Sequence, residues 1–226
     1  MNTSYFVTGT DTEVGKTVTA CALLAAAASR GLNTAAVKPV AAGCEADGRN
    51  EDAVALMAAM TAEMPYEQVN PIALDAAIAP HIAAQEEGVP LSVATLSSHC
   101  REVVASVGAD FVLVEGAGGW RVPLGPRETL ADLARELGFG VVLVVGMRLG
   151  CINHALLTAE AVARDGLALA GWVANQPGER MNRHEENLAT LKALLPAPFL
   201  GELPHTPGAD PSELATHLDI GPLAGS

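Results

Sequence analysis

Gly9-Thr10-Asp11-Thr12-Glu13-Val14-Gly15-Lys16-Thr17 follows the short apolar run Tyr5-Phe6-Val7 and opens onto an alanine- and leucine-rich helical pattern that starts near Val18. Strand, glycine-containing loop, Lys-Thr and helix is the order in which a phosphate-binding loop is built. Backbone N–H groups cradle an anion at the positive end of the helix, the lysine reaches the outer phosphates, and the hydroxyl holds Mg²⁺. The spacing departs from the common pattern: five residues separate Gly9 from Gly15, and Thr10 stands where the first glycine is usual. Gly-Lys-Thr alone is no more than a good helix cap. Its place between an apolar strand and a helix turns the reading towards phosphate.

Working outward, the 226 residues suit one domain, 1–226, and half of them are hydrophobic with only 4% aromatic, a composition for strands buried under closely packed helices. The net charge of −13 argues against non-specific binding to nucleic acid or an anionic membrane, but not against a local nucleotide site. Cys21, Cys44, Cys100 and Cys151 lack metal-ligand spacing and read as small hydrophobes in a reducing compartment. No signal segment is visible, and the longest apolar run, Val141 to Gly146, is too short for a bilayer; a cytoplasmic protein is expected.

Nearly unbroken apolar runs at Ser4–Thr8, Thr34–Lys38, Asp110–Glu115, Gly140–Gly146, Leu169–Asn175 and Phe199–Leu203 predict strands covered on both faces. Helical stripes lie between them, for example Ile152, Ala155, Leu156, Ala159, Val162 and Ala163, or Leu188, Leu191 and Leu195. The alternation predicts an α/β fold, a doubly wound and mostly parallel sheet of the phosphate-loop NTPase type. Ala42–Pro90 breaks the rhythm, with one helical stretch (Asp52–Met60), several prolines and few strand signals; it reads as an insertion along one edge of the site. The tail Pro204–Ser226 carries one weak helical turn near Ser212–Leu218.

Glu115 ends an apolar strand and precedes Gly116-Ala117-Gly118-Gly119, which puts a carboxylate at the C-terminal edge of the sheet, where open parallel sheets bind ligands. Mg²⁺ takes one or two carboxylates beside phosphates and water, so Glu115 is the candidate metal-side acid. Asp52 opens a helical stretch, where a metal ligand and a plain dipole-capping acid are equal readings. Lys38 is held extended by Pro39 at the same sheet edge and can neutralise a transferring phosphoryl group. Gly150-Cys151-Ile152-Asn153-His154 opens a helix after a strand and offers a second anion site, suited to a substrate carboxylate; His154 reads as structural.

Taken together, these stretches resemble the dethiobiotin synthetase family. The matches are Tyr5 to Thr17, Lys38-Pro39-Val40, Val114 to Trp120, Leu149 to Ala155, Ala170 to Asn175, and Gly201 to Pro204, spanning nearly the whole chain in the family's order. The resemblance implies closure of the ureido ring of 7,8-diaminononanoate with CO₂ and ATP, through a carbamate and a carbamic-phosphoric anhydride. It implies Thr17, Asp52 and Glu115 around Mg²⁺, and Lys16, Lys38 and Thr12 at the reacting groups. ATP contacts are implied for Glu13, Val14, Gly15, Lys16, Thr17, Val18, Asp52, Glu115, Gly116, Ala117 and Gly118, with Asn175, Gln176, Pro204, His205 and Thr206 at the base. Substrate contacts are implied for Thr12, Lys38, Ala42 and the helix start Leu149, Gly150, Cys151, Ile152 and Asn153, the last group reaching across a homodimer. Two positions depart from the family: Ala42 stands where a small hydroxyl residue is frequent, and Asn187 where a tyrosine can sit.

Two rival classes are weaker. A cobyrinic acid amide synthase needs an additional amidotransferase domain, for which 226 residues leave no room. A Min/Par-type switch ATPase carries a further lysine near the start of the loop, where this chain has Thr10 and Asp11.

Overall fold

The computed structural model describes residues 3–224. The strands are β1 (Thr3–Gly9), β2 (Thr34–Val37), β3 (Val40–Ala42), β4 (Ile72–Leu74), β5 (Phe111–Gly119), β6 (Gly140–Gly146), β7 (Leu169–Asn175) and β8 (Phe199–Leu203). The helices are α1 (Lys16–Ser29), α2 (Glu51–Ala59), α3 (Tyr66–Val69), α4 (Pro80–Glu87), α5 (Val93–Ser106), α6 (Leu130–Leu137), α7 (Cys151–Arg164), α8 (His184–Leu194), α9 (Pro211–Ala215) and α10 (Gly221–Ala224).

Six strands form one parallel sheet in the order β2-β5-β1-β6-β7-β8. Its central strands read as unbroken apolar runs because both faces are covered: Phe111 to Val114 and Val141 to Val145 are wholly buried. Alanines let α1 lie close to the sheet, burying Ala20, Ala22, Leu23, Leu24 and Ala27. A second apolar cluster, with Leu143, Val145, Trp172, Leu188 and Leu191, fills the space under α7 and α8. The two ends of the described chain meet where the Tyr5 hydroxyl donates to the Leu223 carbonyl at 2.6 Å.

All six expected strands are present, with the bounds of three moved: β1 runs from Thr3 to Gly9, β2 stops at Val37, and β5 starts at Phe111 and continues through the glycines to Gly119. The reading of Ala42–Pro90 needs a larger correction. This region contributes to a second sheet, in which β3 pairs parallel with β4, and it carries α2, α3 and α4. Three-residue strands beside Pro39 and Pro71 are too short to leave a periodic signal. The C-terminal helical turn is α9, Pro211–Ala215, and the last residues of the tail, 225–226, lie outside the described residues. Among the described residues no helix is long and apolar enough to cross a membrane.

Candidate active site

The loop between β1 and α1 is fixed from several sides. Gly15 adopts a left-handed φ of 82°, and a Cβ there would lie 2.1 Å from Asn175 Nδ2, so no other residue fits without displacing that amide. Asn175 Nδ2 donates to the Val14 carbonyl at 2.9 Å, and Thr10 N–H donates to the Val144 carbonyl at 3.0 Å, which ties the loop to β7 and β6. Glu13 also has a positive φ, 56°, a conformation a non-glycine residue holds only where its surroundings impose it. Helix α1 has no side-chain cap and no acid in its first turn, so its positive end is left for an external anion. Lys16 Nζ donates back to the Asp11 carbonyl at 3.1 Å, over the mouth of the loop. Burial strips water from this ammonium and Lys38 repels it, which together pull its pKa down to about 8.

Beside the loop lies a buried charged centre. Lys38 Nζ sits 2.5 Å from Glu115 Oε1 and 2.8 Å from Asp52 Oδ2, and Thr17 Oγ1 donates to the same Glu115 oxygen at 2.8 Å. Lys38 and Glu115 are almost wholly buried. Burial disfavours the Lys38 charge, but Glu115 and Asp52 more than offset it and hold the lysine above its ordinary pKa. Burial likewise disfavours the Asp52 carboxylate, and Lys38 overrides it, so Asp52 stays below the usual carboxylate range. Glu115 Oε2 is buried with no hydrogen-bond partner among the described residues. Two carboxylates, one of them with that orphaned oxygen, and a hydroxyl form an all-oxygen donor set of the hard kind that Mg²⁺ takes. No group of three or more acid, histidine or cysteine side chains suited to a metal occurs among the described residues. The set therefore fits a cation whose shell is completed by phosphate oxygens and water.

A cleft of about 660 Å³ opens above this centre, lined among others by Thr12, Glu13, Gly15, Lys16, Thr17, Val18, Lys38, Ala42, Asp52, Ala117 and Gly118. The sequence alone singles out all of these. Val14 and Gly116 are buried behind its wall. Gly118 approaches the loop closely: a Cβ there would meet Val122 at 2.8 Å and the Thr12 hydroxyl at 3.5 Å. Two expected groups stand apart from the cleft. Asn175 and Gln176 lie at the end of β7 with their amides engaged internally, Asn175 on Val14 and Gln176 Nε2 on His184 Nδ1 at 2.6 Å. Pro204, His205 and Thr206 are exposed past the end of β8. Gly150, with a φ of 97°, starts α7 without a side-chain cap, and Leu149 beside it is 92% exposed. His154 is exposed as well, and Asn187 donates to its own helix at the Arg183 carbonyl.

Sequence reasoning missed Arg148, which pairs with Asp11 at 2.5 Å and joins the phosphate loop to the turn before α7. It also missed Asn50, whose side chain caps α2 at Asp52 and Ala53. An Asn just before a helical run is a readable cap signal; the Arg148–Asp11 contact spans most of the chain and has none.

Loop, sheet order and charged centre define a phosphate-loop NTPase fold, and the AAA domain family matches residues 3–213. The chain is 14% identical to the cell division protein FtsY of Thermotoga maritima, with a TM-score of 0.53 over 100% of this chain and 69% of that one. Against the septum site-determining protein MinD with Mg-ADP from Pyrococcus horikoshii the identity is 13% and the TM-score 0.56, covering 94% and 93%. At such identities these likenesses establish the fold alone. Sequence relatives go further: the chain is 62% identical to the ATP-dependent dethiobiotin synthetase BioD of Pseudomonas paraeruginosa over 97% of both chains. It is 57% identical to that of Cellvibrio japonicus over 97% of both, and 47% identical to that of Tolumonas auensis over 99% and 100%. The chain belongs to the ATP-dependent dethiobiotin synthetase family.

Proposed function

We propose that this chain, as one domain spanning 1–226, closes the ureido ring of 7,8-diaminononanoate with CO₂ and ATP to give dethiobiotin, ADP and phosphate. The observation that carries the reading is the convergence of Lys16, Lys38, Asp52 and Thr17 on one cleft, with the buried Glu115 bonded to Lys38 and Thr17, in a chain with full-length dethiobiotin synthetase relatives. One amine of the substrate adds to CO₂ and loses a proton, giving a carbamate. A carbamate oxygen attacks the γ-phosphorus and ADP leaves. The second amine then attacks the carbonyl carbon, loses its proton and expels phosphate. No covalent bond to the protein is required, so the chain's work is positioning and charge stabilisation.

Lys16 neutralises the outer phosphates from within the loop. Lys38, freed from part of its carboxylate contact, faces the oxygen being phosphorylated. Thr12 and Glu13, held at the cleft by the strained turn, stand between nucleotide and diamine. Thr17, Asp52 and Glu115 would hold Mg²⁺, which neutralises phosphate charge and orients the leaving ADP. Asn175, Gln176 and the turn at Pro204 to Thr206 serve the base. The turn into α7, Leu149 to Asn153, serves the carboxylate of a substrate bound to a second copy in a homodimer. A cytoplasmic location and the absence of nucleic-acid or membrane partners complete the reading.

Incubation with labelled bicarbonate, diaminononanoate, ATP and Mg²⁺ tests it. Label is expected in a ring product, with stoichiometric ADP. ATP turnover without label, and only when a protein partner is added, would instead support a switch ATPase.

A further inference from the structure

Lys38 and Asp52 meet at 2.8 Å, yet the chain between them runs through an exposed turn with left-handed glycines at Gly43 and Gly48. Such a turn is a poor ruler. A second, non-covalent path joins the same two residues and is almost fully hydrogen-bonded. Lys38 N–H donates to the Val69 carbonyl at 2.7 Å, and Asn70 Nδ2 donates to the Lys38 carbonyl at 2.7 Å and to the Ile72 carbonyl at 3.1 Å. Asn70 Oδ1 accepts from the Tyr66 hydroxyl at 2.9 Å, and that hydroxyl accepts from Asn50 N–H at 2.8 Å. Asn50 Oδ1 then accepts from the N–H groups of Asp52 at 3.1 Å and Ala53 at 3.3 Å. Asn70 is 2% exposed and uses both amide hydrogens and its oxygen.

We infer that Asn70 and Tyr66 are positioning residues that set the place of Asp52 against Lys38 through this chain of hydrogen bonds. Neither lines the cleft, so neither touches a reacting atom. The chain of bonds runs through α3 and the residue that ends it, so this short helix holds the carboxylate of one element in register with the lysine of another. Partners one layer behind a metal ligand act in this way, fixing orientation and so affinity.

The inference rests on the proposed metal role of Asp52, and the test separates the two. Mn²⁺ binding is followed by electron paramagnetic resonance in the presence of the β,γ-imido analogue of ATP, together with the Mg²⁺ dependence of turnover. Tyr66→Phe removes one hydroxyl, and Asn70→Ser shortens the other link, so folding of at least one variant suffices. Circular dichroism gauges the folded fraction, and Val103→Ala in α5 serves as a core variant away from the site. Tyr66→Phe is expected to weaken Mn²⁺ binding about 10-fold and to raise the half-saturating Mg²⁺ in step. In the double variant with Asp52→Asn it should add little to Asp52→Asn alone. Mn²⁺ affinity in Tyr66→Phe and Asn70→Ser equal to that of Val103→Ala, with Asp52→Asn weakened, overturns the inference alone. Unchanged Mn²⁺ binding in Asp52→Asn sinks the metal reading, and this inference with it.

Discussion

The Lys38 side of the phosphate loop and its Leu149 side differ in how much of their structure exists before any ligand arrives. On the first, Lys38 and Glu115 are buried, Lys38 bonds Asp52 and Glu115, Thr17 bonds Glu115, and Asn50 caps the helix start that carries Asp52. On the second, Leu149 is 92% exposed, α7 begins without a side-chain cap, and Pro204 to Thr206 lie open to solvent. Charge stabilisation of a transferring phosphoryl group works through dipoles and charges already in place. Recognition of a carboxylate or a base edge, the role proposed for the second side, tolerates a looser frame.

Breaking the rigid side should have the largest effect. Glu115→Ala takes away the buried partner of the Lys38 ammonium and leaves it only the partly exposed Asp52, and the expected loss is about 3 kcal/mol in unfolding free energy, read by urea titration. A loss near zero would show that Asp52 and water satisfy Lys38 without Glu115, and the contrast would fail. Lys16→Ala is expected to lower kcat about 100-fold with the fold intact, in a steady-state assay. The low pKa of Lys16 adds a pH test. Its ammonium titrates near 8 in the free protein, and a polyphosphate favours the charged form, so ATP affinity should fall as pH rises through about 8. Calorimetry near that pH should show proton uptake on ATP binding, lost in Lys16→Met. At the other end of the scale, His205→Ala lies on the open side and should change unfolding free energy by less than about 0.5 kcal/mol. A large loss there would mean that the base side is built as firmly as the phosphate side.

The same contrast governs what can be read from sequence. Strands β6 and β7 are legible to the residue, because a strand covered on both faces leaves a nearly unbroken apolar run. The edge strand β8 also falls at its expected bounds, although it is only partly buried. The loop is legible because its chemistry is local, contained between Gly9 and Thr17. Asp52 stays ambiguous because a capping acid and a metal-side acid look alike at a helix start; its pairing with Lys38 is tertiary. Asn70 and Tyr66 carry no signal, since a hydrogen-bond chain between side chains has no period. Asn175 reads as a contact to the base; in the structure its amide holds Val14 in the loop, a duty that the sequence does not signal.

The order of the main sheet has a consequence for how the protein is made. Strands β1 and β2 are consecutive in the chain, yet each pairs with β5 and neither with the other. As the polypeptide leaves the ribosome, the first two sheet strands and the phosphate loop between them have no strand to pair with until Phe111–Gly119 emerges. In that interval only the small β3–β4 pair can close its ladder. The alanine- and valine-rich N-terminal part therefore waits with its apolar faces uncovered, a period in which non-local parallel pairing is slow and aggregation competes.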